Sequence, residues 1–474
     1  SAAQGCKGRR SPEVFGNPKV YGPLDKTPTP IDRLMGNPLL VGGALAGLGV
    51  GPVIGIASAW FLFNEQFKAF VSSQFWVSIV MMGLGLFIVI HLCALLILAE
   101  RKISAWTQDR KGPNRVGLWG LGQPIADGIK FILKEDITPS HVDKPLFLLA
   151  PCIAFVLALI SFAVIPWAGR IQWPWMAEGE YVLTQAANLD VGILYILAVG
   201  SLAVYGVVLA GWASNNKYAH YGGMRATAQM LSYEVPLGLG LLVMVLHAGN
   251  LQLQPIIDQQ SQTGFWNILI HPVAAALVLI SAFAETNRAP FDLAECEQEL
   301  VAGFHTEYSS MKFALFFLAE YSHMVTASAL FTCLFLGGYT IPFCGWLNEN
   351  NSWWAALIKF HVIWAKTIGV IVFFMIIRWT IPRFRFDQLM RLAWKGLVPM
   401  GMAAIVATST AIAFGWRVAA DQSFMTNLMN VAIMLGLNAL MIVGALVVAG
   451  NAKTPVTGRQ EYMADIAVMP SARV

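Results

Sequence analysis

Six carboxylates, Glu285, Asp292, Glu295, Glu297, Glu299 and Glu307, stand in the stretch ETNRAPFDLAECEQELVAGFHTEYSSMK between two long apolar runs. Only Arg288, His305 and Lys312 oppose them. On a helix, Asp292, Glu295 and Glu299 would share one face at i, i+3 and i+7. Like charges held together raise one another's pKa, an arrangement suited to holding protons or cations. Other ionisable groups lie inside apolar runs: Glu234 in SYEVP, Glu320 in AEYSHM, then Lys359, His361 and Lys366. A charge at mid-bilayer costs about 2.5–3.5 kcal/mol on insertion scales, which makes such groups candidates for function. Pro236 takes the helical donor away from the Ser232 carbonyl, and interrupted backbone at membrane depth is expected where it is buried or lines a cavity. Lys359 and Lys366 read equally well as functional groups and as snorkelling or structurally ion-paired residues. His91, His271 and His323 read as core or interface histidines rather than ligands.

The stretch AERKISAWTQDRKGPNRVGLWGLGQPIADGIKFILKED, from Ala99 to Asp136, is the first of two long polar connections. Its glycines, prolines and charges precede an amphipathic segment with Ile125, Ile129, Ile132 and Leu133 on one face. A basic anchor followed by an interfacial helix accounts for the basic residues. The interleaved Gln108, Asn114, Gln123 and Asp127 fit a shaped binding surface better. The segment RWTIPRFRFDQLMRLAWK, from Arg378 to Lys395, reads as a positive-inside anchor.

The elements that must hold these residues are membrane spans. Of 474 residues, 57% are hydrophobic and 12% charged, with a mean hydropathy of +0.60; soluble domains carry about 25% charged residues. The chain is an all-α, polytopic transmembrane bundle. Apolar runs of roughly twenty residues fall near 75–99, 145–167, 189–213, 227–248, 265–284, 311–338, 354–377, 394–416 and 426–449, with a Gly-rich tenth at 38–63. With ten spans, one set of connections holds only Lys68, Arg170 and Arg417. Every other basic residue outside the spans falls on the other set. The positive-inside rule places that second set, both termini and the acidic stretch on the cytoplasmic or matrix side. The net charge of +4 reflects this bias rather than an affinity for nucleic acid. Six scattered cysteines, without CxxC or CxxCH, lack the spacing of a metal, iron–sulfur or haem site. With no dinucleotide or Walker signature either, any redox chemistry runs on another chain. The polar tail 1–37 lacks the form of a secretory signal and reads as disordered or partner-bound.

Taken together, AERK, RKGPNRVG, QPIADGIKFILKED, GWASNNKYA, AQMLSYEVPLG, the acidic stretch through LAEY and RWTIPRFRFDQLMRLAWK closely resemble one family. It is the membrane component of respiratory complex I (NADH:quinone oxidoreductase) that joins the hydrophilic and membrane arms, called the H subunit in bacteria. The resemblance runs from about Phe75 to Trp416 and implies an eight-span core at 75–416. It leaves the tail 1–37, a segment 38–74 with an extra span, and 417–474 with another extra span beyond that core. It implies a quinone chamber bordered by Arg101, Arg110, Asn114, Arg115, Asp127, Lys130, Arg288 and Asp292. It further implies an acidic relay of Glu234, Glu285, Glu295, Glu299, Glu307 and Glu320 towards proton-translocating subunits. Quinone is the substrate it implies, with FMN and iron–sulfur clusters on partner subunits and no cofactor or metal on this chain. The partners are the hydrophilic quinone-site subunits and small membrane subunits, within a bacterial inner membrane or, alternatively, a mitochondrial one. Cys296 stands where a small residue such as Ala is usual. A related membrane component of an energy-converting hydrogenase is the alternative, and a stand-alone ion transporter a third reading.

This topology has a direct test. Reporter tags fused after Ala2 and before Val474 both report the cytoplasmic side if there are ten spans. An N-terminal tag on the opposite side would remove 38–63 as a span.

Overall fold

The computed structural model describes residues 72–177, 179–295, 297–419 and 421–451. The tail 1–37, the candidate span 38–63, the segment after 451 and Cys296 lie outside the described residues. Helices dominate: α1 (Gln74–Thr107), α2 (Gln123–Leu133), α3 (Lys144–Ile160), α4 (Gly192–Ala213), α5 (Lys217–Ala248), α6 (Leu253–Thr263), α7 (Pro272–Glu285), α8 (Ser310–Phe335), α9 (Trp353–Thr380), α10 (Phe386–Ala413) and α11 (Phe424–Asn451). A two-stranded ribbon, β1 (Arg170–Ile171) antiparallel to β2 (Val182–Leu183), lies in the connection between α3 and α4. Among the described residues eight helices are long and apolar enough to span a membrane: all but α2, α6 and α7.

Several boundaries depart from the apolar runs, each for a physical reason. The 34 residues of α1 make a rod of about 51 Å, well beyond a hydrocarbon core of roughly 30 Å. Its last turns therefore leave the apolar region while still helical, and AERK is helical rather than the start of a loop. The Arg378–Lys395 segment is likewise mostly helical, because α9 runs on to Thr380 and α10 starts at Phe386 with a π-helical stretch at Leu392–Leu397. The run at 265–284 is not one helix. Pro272 disfavours helical backbone at His271, which sits at φ −127° and ψ 64° between a short turn, Asn267–Ile270, and the 14 residues of α7. Conversely, α5 stays helical through Pro236, and no interruption marks Glu234. There α10 covers the proline turn: Trp394 Nε1 donates to Ser232 Oγ at 3.3 Å, and the buried Tyr233 hydroxyl donates to the Leu389 carbonyl at 3.0 Å.

Small residues set the closest helix pairs. Ala150, Ala154 and Ala158 on α3 are buried against α4, where a Cβ at Gly206 would lie 2.9 Å from the Ala154 nitrogen. Close backbone approach of this kind drives association in lipid. The main core gathers α1, α5, α7, α8 and α9 around residues such as Tyr233, Met244, Phe283, Tyr321 and Phe335. At the end of the bundle away from the acidic stretch, Trp167 stacks on Phe360 at 5.7 Å and packs edge-on against Trp364. Lys366 and Lys359 act at this end as well. Lys366 Nζ donates to the carbonyls of Leu336, Gly338 and Thr340 beyond α8, and Lys359 Nζ to those of Asn348 and Asn350. Both lysines thus satisfy carbonyls that no helix pairs, a structural use of buried charge.

Candidate functional site

The acidic stretch folds over the bundle end where α1 and α9 emerge. It is irregular except for Glu297–Leu300 and a turn at Gly303–His305, so Asp292, Glu295 and Glu299 do not share a helical face. Gly303 enables the fold-back: it has φ +60°, and a side chain there would collide with the Ala294 carbonyl. Gln229 of α5, fully buried, pins the beginning of the stretch by donating through Nε2 to the Ala284 carbonyl at 2.8 Å and the Phe291 carbonyl at 2.7 Å.

Glu100 lies at the centre. Its carboxylate accepts from Arg288 at 2.8 Å, from the Tyr321 hydroxyl and from Arg378, so that α1, the acidic stretch, α8 and α9 meet on one buried group. The Arg288 guanidinium also lies over the Tyr321 ring, 4.1 Å from its centroid. Burial works against the Arg288 charge, but Tyr321, Glu320 and Glu295 outweigh it and hold the group protonated.

Beside this cluster opens a cavity of about 410 Å³ lined by Asp292, Glu295, His305, Glu320, Arg378 and Arg383. Arg383 pairs with Asp292 at 3.2 Å. Burial, reinforced by a hydrogen bond with Glu320 and by Asp292, pushes the Glu295 carboxyl well above the usual carboxylate range, while Arg288 opposes the shift. A Glu295 carboxyl raised in this way donates its proton in the hydrogen bond to Glu320. Burial lowers His305 to about 4, so its ring, 3.7 Å from Glu295, is neutral near pH 7.

The acids continue inward. Glu320 and His323, one turn apart on α8, line a smaller void together with Glu285. Glu285 closes α7 against α4, where a Cβ on Gly200 would lie 3.0 Å from its Oε1. Glu234 of α5 takes the hydroxyl of the adjacent Ser201. The sequence of groups is thus Asp292, Glu295, Glu320, His323, Glu285 and Glu234, running from an open cavity to the middle of the bundle.

Not every expected residue joins it. Glu299 pairs with Arg225, and Glu307 accepts from Asn216 at 2.7 Å, both at the start of α5 and apart from the row. In the first connection Arg101 pairs with Asp127 at 2.6 Å, with Gln123 on the other carboxylate oxygen at 3.2 Å, which ties α1 to α2. Arg110, Asn114 and Arg115 are exposed, and Lys130 lies over the Phe131 ring. Four residues of the site carried no signal of their own in the sequence. Glu100, Arg378 and Arg383 stand where apolar runs end and read as anchors, and Tyr321 reads as packing. The one available hint was that Glu100 is an acid where basic anchors are the rule.

A family profile described as NADH dehydrogenase matches residues 79–409. The chain is 49% identical over 330 residues to the H subunit of the NADH-quinone oxidoreductase of Leptospira biflexa, covering 68% of this chain and 91% of the relative. It is 48% identical over 313 residues to the H subunit of the same enzyme in Flavobacterium psychrophilum, covering 65% and 89%. The chain belongs to the H-subunit family of NADH-quinone oxidoreductases. An H subunit of Geobacter metallireducens adds 48% identity over 322 residues, with 68% of this chain and 92% of the relative covered. As a member of this family, the chain is a multi-pass membrane component of an oxidoreductase complex and works with the complex's other subunits. Its matched region contains α1 to α9 except the first turn of α1, and most of α10.

The buried loop gives a pH prediction. His305 is lowered from its ordinary 6.5 to about 4. Between those values the unfolded chain binds a proton that the folded loop refuses, so stability falls as the pH drops through this window. Glu295, with its pKa raised, acts in the opposite sense, and its contribution is lost as pH rises above the ordinary carboxylate value of 4.5. His305→Asn keeps a hydrogen-bonding side chain without the titration. It is expected to flatten the decline in the thermal-inactivation midpoint of the intact complex between about pH 6.5 and 5. An unchanged slope would contradict the assignment.

Proposed function

We propose that this protein forms the quinone access chamber of the complex and carries the charge relay that couples quinone reduction to ion pumping. The observation that carries the reading is the succession of titratable groups from the open cavity through Glu320, His323 and Glu285, with Glu234 near enough to act on Glu285. Residues 75–416 make up the chamber core, with 1–37, 38–74 and 417–474 as additions to it. The membrane is the inner membrane of a bacterium.

Quinone reduction consumes two electrons and two protons. The electrons arrive from FMN and iron–sulfur clusters on partner subunits, and negative charge develops on the substrate in a poorly hydrated space. Arg101, Asp127 and the exposed Arg110, Asn114, Arg115 and Lys130 shape the chamber entrance next to the hydrophilic partners. Arg288 and Asp292 border its inner end. Glu295, hydrogen-bonded to Glu320, is pushed towards keeping its proton, so loss or gain of charge nearby changes whether it holds one. That change is felt by Glu285, which shares a void with Glu320, and then by Glu234, whose charge acts on Glu285. Glu299 and Glu307 lie outside this route and hold the acidic stretch to α5.

The test uses the intact complex in vesicles. Asp127→Ala and Glu320→Gln are each expected to lower quinone reduction by about 10- to 100-fold per assembled complex. NADH oxidation by a hydrophilic artificial acceptor, which takes electrons upstream, stays near the parent rate. For Glu320→Gln the membrane potential falls with quinone reduction. Parent-level quinone reduction and potential in both variants would reduce the row to a structural feature.

A further inference from the structure

The last helix among the described residues, α11, lies beyond the family match, which ends at residue 409, yet it is built into the bundle by polar contacts. Asn427, Asn430 and Asn438 of α11 are all buried. Their spacing of three and eight residues puts them on one face, while Met429, Leu440, Val443 and Leu446 are exposed. Asn427 pairs through its amide with both the nitrogen and the carbonyl of Ala419, and Asn430 Nδ2 donates to the Arg417 carbonyl at 2.9 Å. These two asparagines set the turn that brings α11 back against the bundle.

Asn438 does something different. It meets the break at His271, where Pro272 interrupts the helix ahead of α7. A break leaves carbonyls of the preceding turn and N–H groups of the following one without helical partners, and lipid offers them none. Asn438 Nδ2 donates to the Ile270 carbonyl at 3.2 Å, and Asn438 Oδ1 accepts from the Val273 N–H at 3.4 Å. One amide therefore bridges both sides of the interruption. Ile270 also packs with Val431 and Met434 of α11 in a separate apolar cluster.

We infer that Asn438 is a positioning residue. It fixes the outer end of α7 and, through that short rigid helix, the placement of Glu285 at its inner end. The 12 helical steps from Val273 to Glu285 span about 18 Å at 1.5 Å per residue, and Gln229 holds the inner end at the Ala284 carbonyl. With both ends held by side-chain amides, α7 cannot slide or turn without breaking one of them. The inference rests on Glu285 belonging to the relay.

The experiment compares Asn438→Leu, Asn438→Gln and Glu285→Gln in the purified, reconstituted complex. Leu has similar volume but neither donor nor acceptor, whereas Gln keeps the amide. Asn438→Leu is expected to assemble, to keep the artificial-acceptor rate and to lose about three- to tenfold of its quinone reductase rate. Its pH–rate profile shifts, a change that weakened packing alone does not cause, and Asn438→Gln recovers most of the rate. If Asn438→Leu fails to assemble, Asn438→Ser takes its place with the same expectation. Failure of both to assemble would make α11 a folding element and overturn the inference. A parent-like rate and pH profile in Asn438→Leu, with Glu285→Gln slow, would also overturn it and leave the relay standing. A parent-like Glu285→Gln would remove the relay and this inference together.

Discussion

One buried carboxylate holds the acidic end of this bundle together. Glu100 receives Arg288 from the acidic stretch, Arg378 from α9 and the hydroxyl of Tyr321 from α8. In a low-dielectric interior such a cluster is not a large net source of stability, because desolvating the charges costs about as much as their attraction returns. Its consequence is geometric. Removing one member strands the others, at a cost of roughly 3–5 kcal/mol for a broken buried pair, so the four elements are constrained to meet in one arrangement. The extra length of α1, too long for the hydrocarbon, is what delivers Glu100 to that point.

From that constraint the rest of the site follows. With Arg288 held, the chain from Thr286 to Asp292 must turn back over α5, where Gln229 receives it. Glu295 then faces Glu320, and the cavity forms between them and the two arginines of the α9–α10 junction. The Glu295 carboxyl is pushed towards keeping its proton because it is buried and crowded by Glu320 and Asp292, and it is crowded because the cluster allows the stretch no other path. The charges divide by contact: Lys359, Lys366, Glu299 and Glu307 hold backbone or neighbouring elements, whereas Glu295, Glu320 and Glu285 line cavities, with Glu234 acting on Glu285.

Much of this was legible in the residues themselves. Hydropathy located the spans because backbone groups in lipid must pair within helices, and rare charges inside those runs, Glu234 and Glu320, marked the row. Local signals failed where tertiary contact decides. The spacing of Asp292, Glu295 and Glu299 suggests a helix, but Gly303 and the pull of Arg288 towards Glu100 impose an irregular path. Pro236 suggests an interruption, yet α10 packs over that turn and the helix runs on, while Pro272 does interrupt. Glu100, Arg378 and Arg383 were hidden because residues at span ends follow the statistics of membrane anchors. His323, like any buried histidine, carried no sign of which acids it would face.

The site depends most on Glu100, and Glu100→Gln tests that dependence directly. Glutamine preserves the shape and the hydrogen bond to Tyr321 but cannot neutralise two guanidinium groups. Quinone reduction and membrane potential per assembled complex would be measured in vesicles alongside NADH oxidation by an artificial hydrophilic acceptor. The first two are expected to fall together by about tenfold or more while the third persists, since a buried unpaired charge displaces the acidic stretch. An assembled Glu100→Gln complex that reduces quinone and builds potential at the parent rate would contradict the central role of this carboxylate.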